Sequence, residues 1–222
     1  MRRILLVLPA SFVTGPALAQ VEDRALWLTA TGNVAVDRRT RITVETSYRF
    51  SDRRNGLSES LWIGGVTREV AKDVAVHVSY ARVTVYSRGR ISSSENRVRA
   101  QVEATRGLGR VRLAGRLRFE YRSRTDGDRT GFRLRPRIRA TVPIGKSDFS
   151  LVADQEWMIE LNDTDWGQVT GADRLRNTVA VNWRATDALS FEVAYRNQYH
   201  FARRGDGPAM DHILMLGTTL NL

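Results

Sequence analysis

The sequence predicts an all-β fold: an antiparallel, up-and-down transmembrane β-barrel of about twelve strands, or alternatively ten, with a polar, arginine-rich interior. Three observations predict it. The chain opens on an export signal, the remainder alternates polar and apolar residues with period two, and short connections alternate with longer ones.

Export is read from the first twenty residues. Met1-Arg2-Arg3 is a basic start, Ile4 to Val13 is a short apolar run interrupted by Pro9 and Ser11, and Gly15-Pro16 breaks it. Ala17-Leu18-Ala19 then supplies small residues for cleavage. Residues 1–19 therefore read as a signal peptide and 20–222 as one barrel domain. The run is too short for an anchor helix, and no later window holds the ~18 uncharged apolar residues of a spanning helix. Removing Arg2 and Arg3 lowers the formal charge from +11 to +9. With 42 % hydrophobic residues, 5 Trp, 6 Tyr and 7 Phe, the chain has enough apolar surface to avoid disorder. The absence of cysteine excludes disulfides, thiolate metal sites and cysteine nucleophiles.

The strand pattern is clearest at 110–124. Arg110, Arg112, Arg116, Arg118, Glu120, Arg122 and Arg124 take the even positions; Val111, Leu113, Leu117, Phe119 and Tyr121 take the odd ones. In 129–142 the parity reverses: Arg129, Arg133, Arg135, Arg137 and Arg139 share one face, Phe132, Leu134, Pro136 and Ile138 the other. Successive strand side chains point to opposite faces, so each strand has a charged and a greasy side. The same reading places strands near 25–36, 41–50, 58–70, 74–86, 95–106, 148–161, 174–185, 188–201 and 212–222. In 58–86 the alternation is uneven, with Arg82 breaking its face, which predicts a bulge or register shift. Pro136 lacks a backbone N–H and predicts a local gap in the ladder.

Short connections at 37–40, 71–73, 107–109, 143–146 and 185–187 alternate with mostly longer ones at 51–56, 87–94, 125–128, 162–173 and 202–211. Short periplasmic turns opposite longer outer loops characterise outer-membrane barrels. That orientation sends Tyr48, Phe50, Tyr80, Tyr86, Phe119, Tyr121, Phe132, Tyr199 and Phe201 toward the outer ends. Phe149, Trp183 and Phe191 fall toward the inner ends, so two aromatic belts emerge. Export, strand length and end-placed aromatics choose lipid-facing grease over the greasy interior of a soluble barrel. The last strand ends Leu214, Leu216, Thr218, Leu220, Leu222, an alternating terminus of the kind the barrel-assembly machinery reads, although Leu222 replaces the usual aromatic. Eleven segments are countable. Because bacterial single-chain barrels are even-numbered, the expectation is twelve, with residues 20–26 forming a short extra segment, or ten if one strand in 58–86 is spurious.

Facing inward, Arg97, Arg99, Arg112, Arg116, Arg118, Arg133, Arg135, Arg137 and Arg139 form rows on adjacent strands. Hairpin pairing is expected to set Arg97 and Arg99 beside Arg118 and Arg116, and these beside Arg135 and Arg137. Fewer carboxylates lie opposite: Glu120 near Arg133, and Asp154, Glu156 and Glu160 facing Arg135, Arg133 and Arg129. One reading is a structural ion-pair network filling a narrow, plugged barrel with an envelope, lipopolysaccharide-binding or adhesive role. The other is a porin-like, anion-selective conduit for small anions, since arginine rows focus a positive field.

Other chemistries have weaker support. An outer-membrane lipid hydrolase needs a Ser–His pair. His77 has Ser79 on its face, His200 lies inward beside Gln198 and Arg196, and His212 follows Asp211 without a serine. The expectation is therefore no enzyme, with no catalytic residue, cofactor or metal site. Export argues against nucleic acid as a partner. The expected surroundings are outer-membrane lipid and lipopolysaccharide of a Gram-negative bacterium, whose phosphates could meet Arg53, Arg54, Arg88, Arg90, Arg203 and Arg204. A monomer is expected.

The run Arg116-Leu-Arg-Phe-Glu-Tyr-Arg122, then Phe132-Arg-Leu-Arg-Pro-Arg-Ile-Arg139 closed by Val142-Pro143, resembles the domain-of-unknown-function family numbered 2490. The acidic strand Asp154-Gln155-Glu156, the Arg174-Leu-Arg-Asn177 start and Trp27 fit the same pattern. The resemblance spans nearly the whole mature chain and implies a small outer-membrane barrel. It implies no activity, substrate or site.

Overall fold

The computed structural model describes residues 21–203 and 205–222; the predicted signal peptide lies outside them. Among the described residues eleven strands form one closed barrel. They are β1 (Val21–Ala35), β2 (Thr40–Ser51), β3 (Gly56–Ala71), β4 (Val74–Ser87), β5 (Arg90–Leu108), β6 (Val111–Arg124), β7 (Gly131–Pro143), β8 (Phe149–Glu160), β9 (Gly171–Arg184), β10 (Leu189–His200) and β11 (Ala209–Asn221). The period-two sequence yields strands because each then separates its charged and greasy sides across the sheet.

The expectation of twelve or ten antiparallel strands is corrected to eleven. In a chain of successive hairpins, an odd count makes the first and last strands co-directional, so closure must be parallel. β1 and β11 do pair parallel, from Val21↔Ala209 to Asn33↔Asn221. The seam ends with Ala35 N–H donating to Leu222 O at 2.8 Å and Leu222 N–H to Asn33 O at 2.8 Å. Residues 21–26, expected as a separate segment, simply continue β1. Val21 thus starts at the end that carries the longer loops.

The burial pattern is inverted relative to a water-soluble protein. Val44, Val78, Val179 and Val193 on the outer surface are 53–58 % exposed, whereas Glu95, Glu120 and Glu160 inside are 0–2 % exposed. Aromatic pairs sit toward both strand ends: Phe119–Phe132 and Tyr199–Phe201 toward the long loops, and Phe149–Trp183 and Trp183–Phe191 toward the short turns.

The uneven 58–86 stretch has a specific cause. Its inward residues Leu61, Ile63, Ala81 and Val83 are themselves apolar and pack together, so both faces of β3 and β4 are greasy. Arg82 takes the outer face and donates to Asn96 Oδ1 at 2.7 Å. Register shifts fall near the ends of these strands, at Glu69/Ala71 in the β3–β4 ladder and at Val85/Tyr86 in the β4–β5 ladder. The gap predicted at Pro136 is present: the β7–β8 ladder passes from Leu134↔Ile159 to Arg137↔Glu156. The loop expected at 87–94 is instead a two-residue turn, Arg88 and Gly89 with φ of 52° and 74°. Such paired left-handed residues match the twist of a hairpin, and β5 already begins at Arg90.

Candidate functional site

The inward arginines gather on β5, β6 and β7, but in a register displaced from the expected one. Arg97 faces Arg122, Arg99 faces Glu120, Gln101 faces Arg118 and Glu103 faces Arg116. Likewise Arg139 faces Asp154, Arg137 faces Glu156 and Arg133 faces Glu160. In both hairpins the strands run on before turning, so the turn centres two residues later than the glycine-marked positions suggest. Pairings between β6 and β7 agree with expectation: Arg116↔Arg137, Arg118↔Arg135 and Glu120↔Arg133. Arg112 has inward parity but is exposed near the short-turn rim, outside the lined cavity.

Toward the long loops the guanidinium groups are tied to buried carboxylates. Glu95 accepts from Arg97 Nε at 2.7 Å and Arg122 Nε at 2.5 Å. Arg133 Nε donates to Glu160 Oε1 at 2.7 Å, and Arg122 Nη1 approaches the same oxygen at 3.3 Å. Arg135 bridges Glu120 Oε1 at 2.8 Å and Glu156 Oε2 at 2.6 Å. Glu156 also accepts from Arg116 and, at 3.3 Å, from Arg176. A buried charge is tolerable only when it is compensated in this way.

Toward the short turns pairing loosens and water access rises. Arg137 donates to Glu103 at 3.2 Å and Arg139 to Glu192 at 2.5 Å, with Asp154 3.5 Å away. The Arg137 and Arg139 side chains are 20 % and 27 % exposed, against 6 % for Arg122 and Arg133. Carboxylates therefore reach more of the row than its sequence implied. The missed partners Glu95, Glu103 and Glu192 share the arginines' inward parity and were legible by counting alternate positions.

Two further elements were not foreseen. Trp27 on β1 is buried, with the Arg49 guanidinium 3.9 Å from its ring centre and those of Arg176 and Arg196 at 5.1 and 5.4 Å. Such stacking adds to the ion pairs of Arg49 with Glu59 and Arg176 with Glu156, and supports Arg196, whose Nε donates to Thr178 Oγ1 at 2.9 Å. The β8–β9 loop (residues 161–170) also folds over the mouth. Gln168 accepts from Arg122 Nη1 at 3.0 Å and donates to Phe132 O at 3.1 Å. Trp166 Nε1 donates to Arg129 O at 2.6 Å. Backbone N–H groups of Asp128 and Arg129 donate to Asp165, and the Asp128 bond leads in holding this exposed carboxyl below its ordinary value.

A cavity of about 740 Å3 remains inside the barrel. Its lining extends from Arg54, Ser92 and Asp126 near the long loops to Asn182, Ser190 and Thr219 near the short turns. One side is the arginine wall; the other is made of small residues, including Thr29, Thr31, Ser47 and Gly217. Among the described residues fifteen arginines and six carboxylates line it.

The histidines separate. His77 bonds Thr67 Oγ1 at 2.8 Å rather than Ser79. His200 pairs with Asp211 at 2.6 Å, while Ser51 donates its hydroxyl to Asp23. His212 lies outside the barrel against Tyr195, 2.6 Å from its hydroxyl. Among the loop arginines proposed for lipid phosphates, Arg204 lies outside the described residues. Arg203 is committed to the carbonyls of Val169, Gly171 and Ala172, and Arg53 lies 3.6 Å from Asp211.

An uncharacterized protein of Methylorubrum extorquens is 29 % identical over 225 residues, covering 96 % of this chain and 95 % of that one. Among solved structures, the translocator domain of the autotransporter NalP from Neisseria meningitidis aligns at 14 % identity and TM-score 0.47, covering 74 % of this chain and 70 % of its own. OmpT of Vibrio cholerae aligns at 9 % identity and TM-score 0.41, covering 77 % and 58 %. The profile of the family described as "Protein of unknown function (DUF2490)" matches residues 24–207, and with that match the chain belongs to the DUF2490 family.

Proposed function

We propose that this protein is an outer-membrane β-barrel of a Gram-negative bacterium whose lumen is a narrow path preferring small anions. The observation that carries the reading is the cavity lining: its arginine excess reaches from the long-loop end to the short-turn end. A confined, low-dielectric passage with one excess sign of charge concentrates counter-ions. The exposed apolar exterior and the aromatic residues at both strand ends support membrane placement, because a closed sheet leaves no unpaired backbone edge in lipid. On this reading the barrel is a monomer surrounded by lipid and lipopolysaccharide. Arg54, Arg88 and Arg90 at the long-loop end offer guanidinium groups to lipid phosphates.

A second reading, a plugged barrel serving envelope structure, is favoured by one specific feature: the buried pairs around Glu95, Glu120 and Glu160 occupy the long-loop half of the lumen. Conductance of the mature chain across a planar bilayer with a salt gradient decides between them. A reversal potential on the anion side supports the path, and substituting Arg116, Arg118, Arg135 and Arg137 by Gln reduces that preference. No conductance, or cation preference, rejects it in favour of the plugged barrel.

A further inference from the structure

Two rows of the ion-pair lattice hold two guanidinium groups and no carboxylate of their own: Arg97–Arg122–Gly131, whose arginines are both bonded to Glu95, and a second row nearer the middle of the barrel. Across β5, β6 and β7 the inward residues face each other as Arg99–Glu120–Arg133, then Gln101–Arg118–Arg135, then Glu103–Arg116–Arg137. The middle row has two guanidinium groups and an amide. The carboxylates that reach this row from its neighbours are both shared: Glu156 Oε2 accepts from Arg135 at 2.6 Å and also serves Arg176, while Glu120 Oε1 accepts from Arg135 at 2.8 Å with Arg118 Nη1 3.8 Å away.

Arg99 is the exception in this lattice. It is 6 % exposed and lines the cavity, yet among the described residues its side chain makes no hydrogen bond and no ion pair within 4 Å, although Glu120 faces it across the ladder and Glu45 lines the same cavity. Its Nε is buried without an acceptor, as are the Nε atoms of Arg116, Arg135 and Arg137 in the flanking rows. Buried donors in folded proteins nearly always have partners, and an unpaired buried charge is costly. The five arginines share three carboxylates, those of Glu103, Glu120 and Glu156, and Glu156 also serves Arg176. Counting only carboxylates within 4 Å, Arg99, Arg116, Arg118, Arg135 and Arg137 exceed their partners by two charges; Glu45 also lines the cavity and Glu120 Oε2 is without a hydrogen bond, yet neither reaches the Nε groups left without acceptors.

We propose that the lumen holds a binding site for a doubly charged tetrahedral oxyanion, a phosphate or sulfate group, held by the guanidinium groups of Arg99 and Arg118 with Arg116 and Arg137 beside them. A guanidinium presents two parallel N–H groups to such an anion, a geometry that chloride cannot use. The proposal rests on the anion-path reading for the solute's access to the site. Its consequence is selectivity by binding as well as by field: phosphate occupies the passage and competes with the flow of smaller anions.

The test uses the refolded mature barrel in detergent micelles, titrated calorimetrically with inorganic phosphate at constant ionic strength. The expected result is saturable binding that sulfate competes away and chloride does not. Arg99→Gln is expected to weaken it at least tenfold, and Arg68→Gln, on the outer face, to leave it unchanged. Should Arg99→Gln fail to fold, Arg99→Lys keeps the charge, loses the planar fork, and is also expected to bind at least tenfold more weakly. Glycerol 3-phosphate as a second probe separates sources: equal affinity assigns recognition to the phosphate group alone, tighter binding to a phosphate ester. Absence of phosphate binding, or binding unchanged in the Arg99 variants, overturns the site. Because the titration needs no conductance, a closed barrel that binds phosphate rejects the path and keeps the site; a conducting barrel that does not bind it does the reverse.

Discussion

The two halves of the lumen use the same residue types to opposite effect. Toward the long loops, Arg97, Arg122 and Arg133 each have a carboxylate oxygen within hydrogen-bond reach, and Glu95 and Glu160 are 2 % exposed. Toward the short turns the partners of Arg137 and Arg139, Glu103 and Glu192, are 35 % and 25 % exposed, and at the boundary between the halves the Arg99 side chain has no carboxylate within 4 Å. In the first half arginine works as a strut, its charge cancelled where water is scarce. In the second its charge is less fully cancelled, because water shares the cost of leaving it so. An arginine-rich strand thus says little about function until its carboxylates have been counted and their exposure compared.

The largest expected effect is the loss of a strut. Glu120 is fully buried among Arg118, Arg133 and Arg135. Glu120→Gln takes from Arg118 its ion-pair partner and from Arg133 and Arg135 one of their carboxylates, leaving Glu160 and Glu156 to them, and is expected to destabilise the barrel by about 3 kcal/mol. Glu103→Gln, which removes a partly exposed partner of Arg137, is expected to cost less than about 1 kcal/mol. Urea unfolding of both variants in lipid vesicles checks the comparison, and equal losses would break it.

A smaller effect is expected beside the arginine wall. Gly65 on β3 faces the imidazole of His77; an added Cβ would lie 2.7 Å from His77 Cε1, 2.6 Å from Ser79 Cβ and 2.8 Å from the Val78 carbonyl oxygen. The backbone atom cannot rotate away, so Gly65→Val is expected to cost about 1–3 kcal/mol in the same unfolding measurement. An unchanged stability would show that the wall of β3 and β4 yields more than its packing suggests.

The smallest effect concerns the cap over the paired half. The Asp165 carboxyl lies below its ordinary value of 3.8, chiefly through the Asp128 N–H, so its contribution to holding the loop is complete above 3.8 and fades as pH falls through the lower folded value. Acid titration of tryptophan fluorescence, with Trp166→Phe to isolate the loop signal, is expected to show a low-pH step that Asp165→Asn lacks. The same step in Asp165→Asn would assign the loosening to another group.

Much of this molecule was legible in its sequence because period two assigns a face to every residue. The strands, the inward arginines, the end-placed aromatics and the Pro136 gap all follow from that count. Register did not, because a turn displaced by two residues preserves every face while exchanging every partner; Arg97 faces Arg122 instead of Arg118 for this reason. Strand number was misjudged because evenness was taken as a constraint, whereas the constraint is closure, which parallel pairing of β1 and β11 satisfies. The stacking of three guanidinium groups on Trp27 and the insertion of Gln168 join residues far apart in the chain, and no local pattern announces them.

The inversion of the barrel, greasy side out and polar side in, is tested most directly on β1. With no native cysteine, single cysteines at Leu28, Thr29, Ala30 and Thr31 can carry spin labels in vesicle-reconstituted protein. Collision with lipid-soluble oxygen is predicted to be high at 28 and 30 and low at 29 and 31, with a water-soluble nickel chelate unable to reach 28 and 30. Equal access at all four positions, or labels at 28 and 30 open to the chelate and closed to oxygen, would contradict the account.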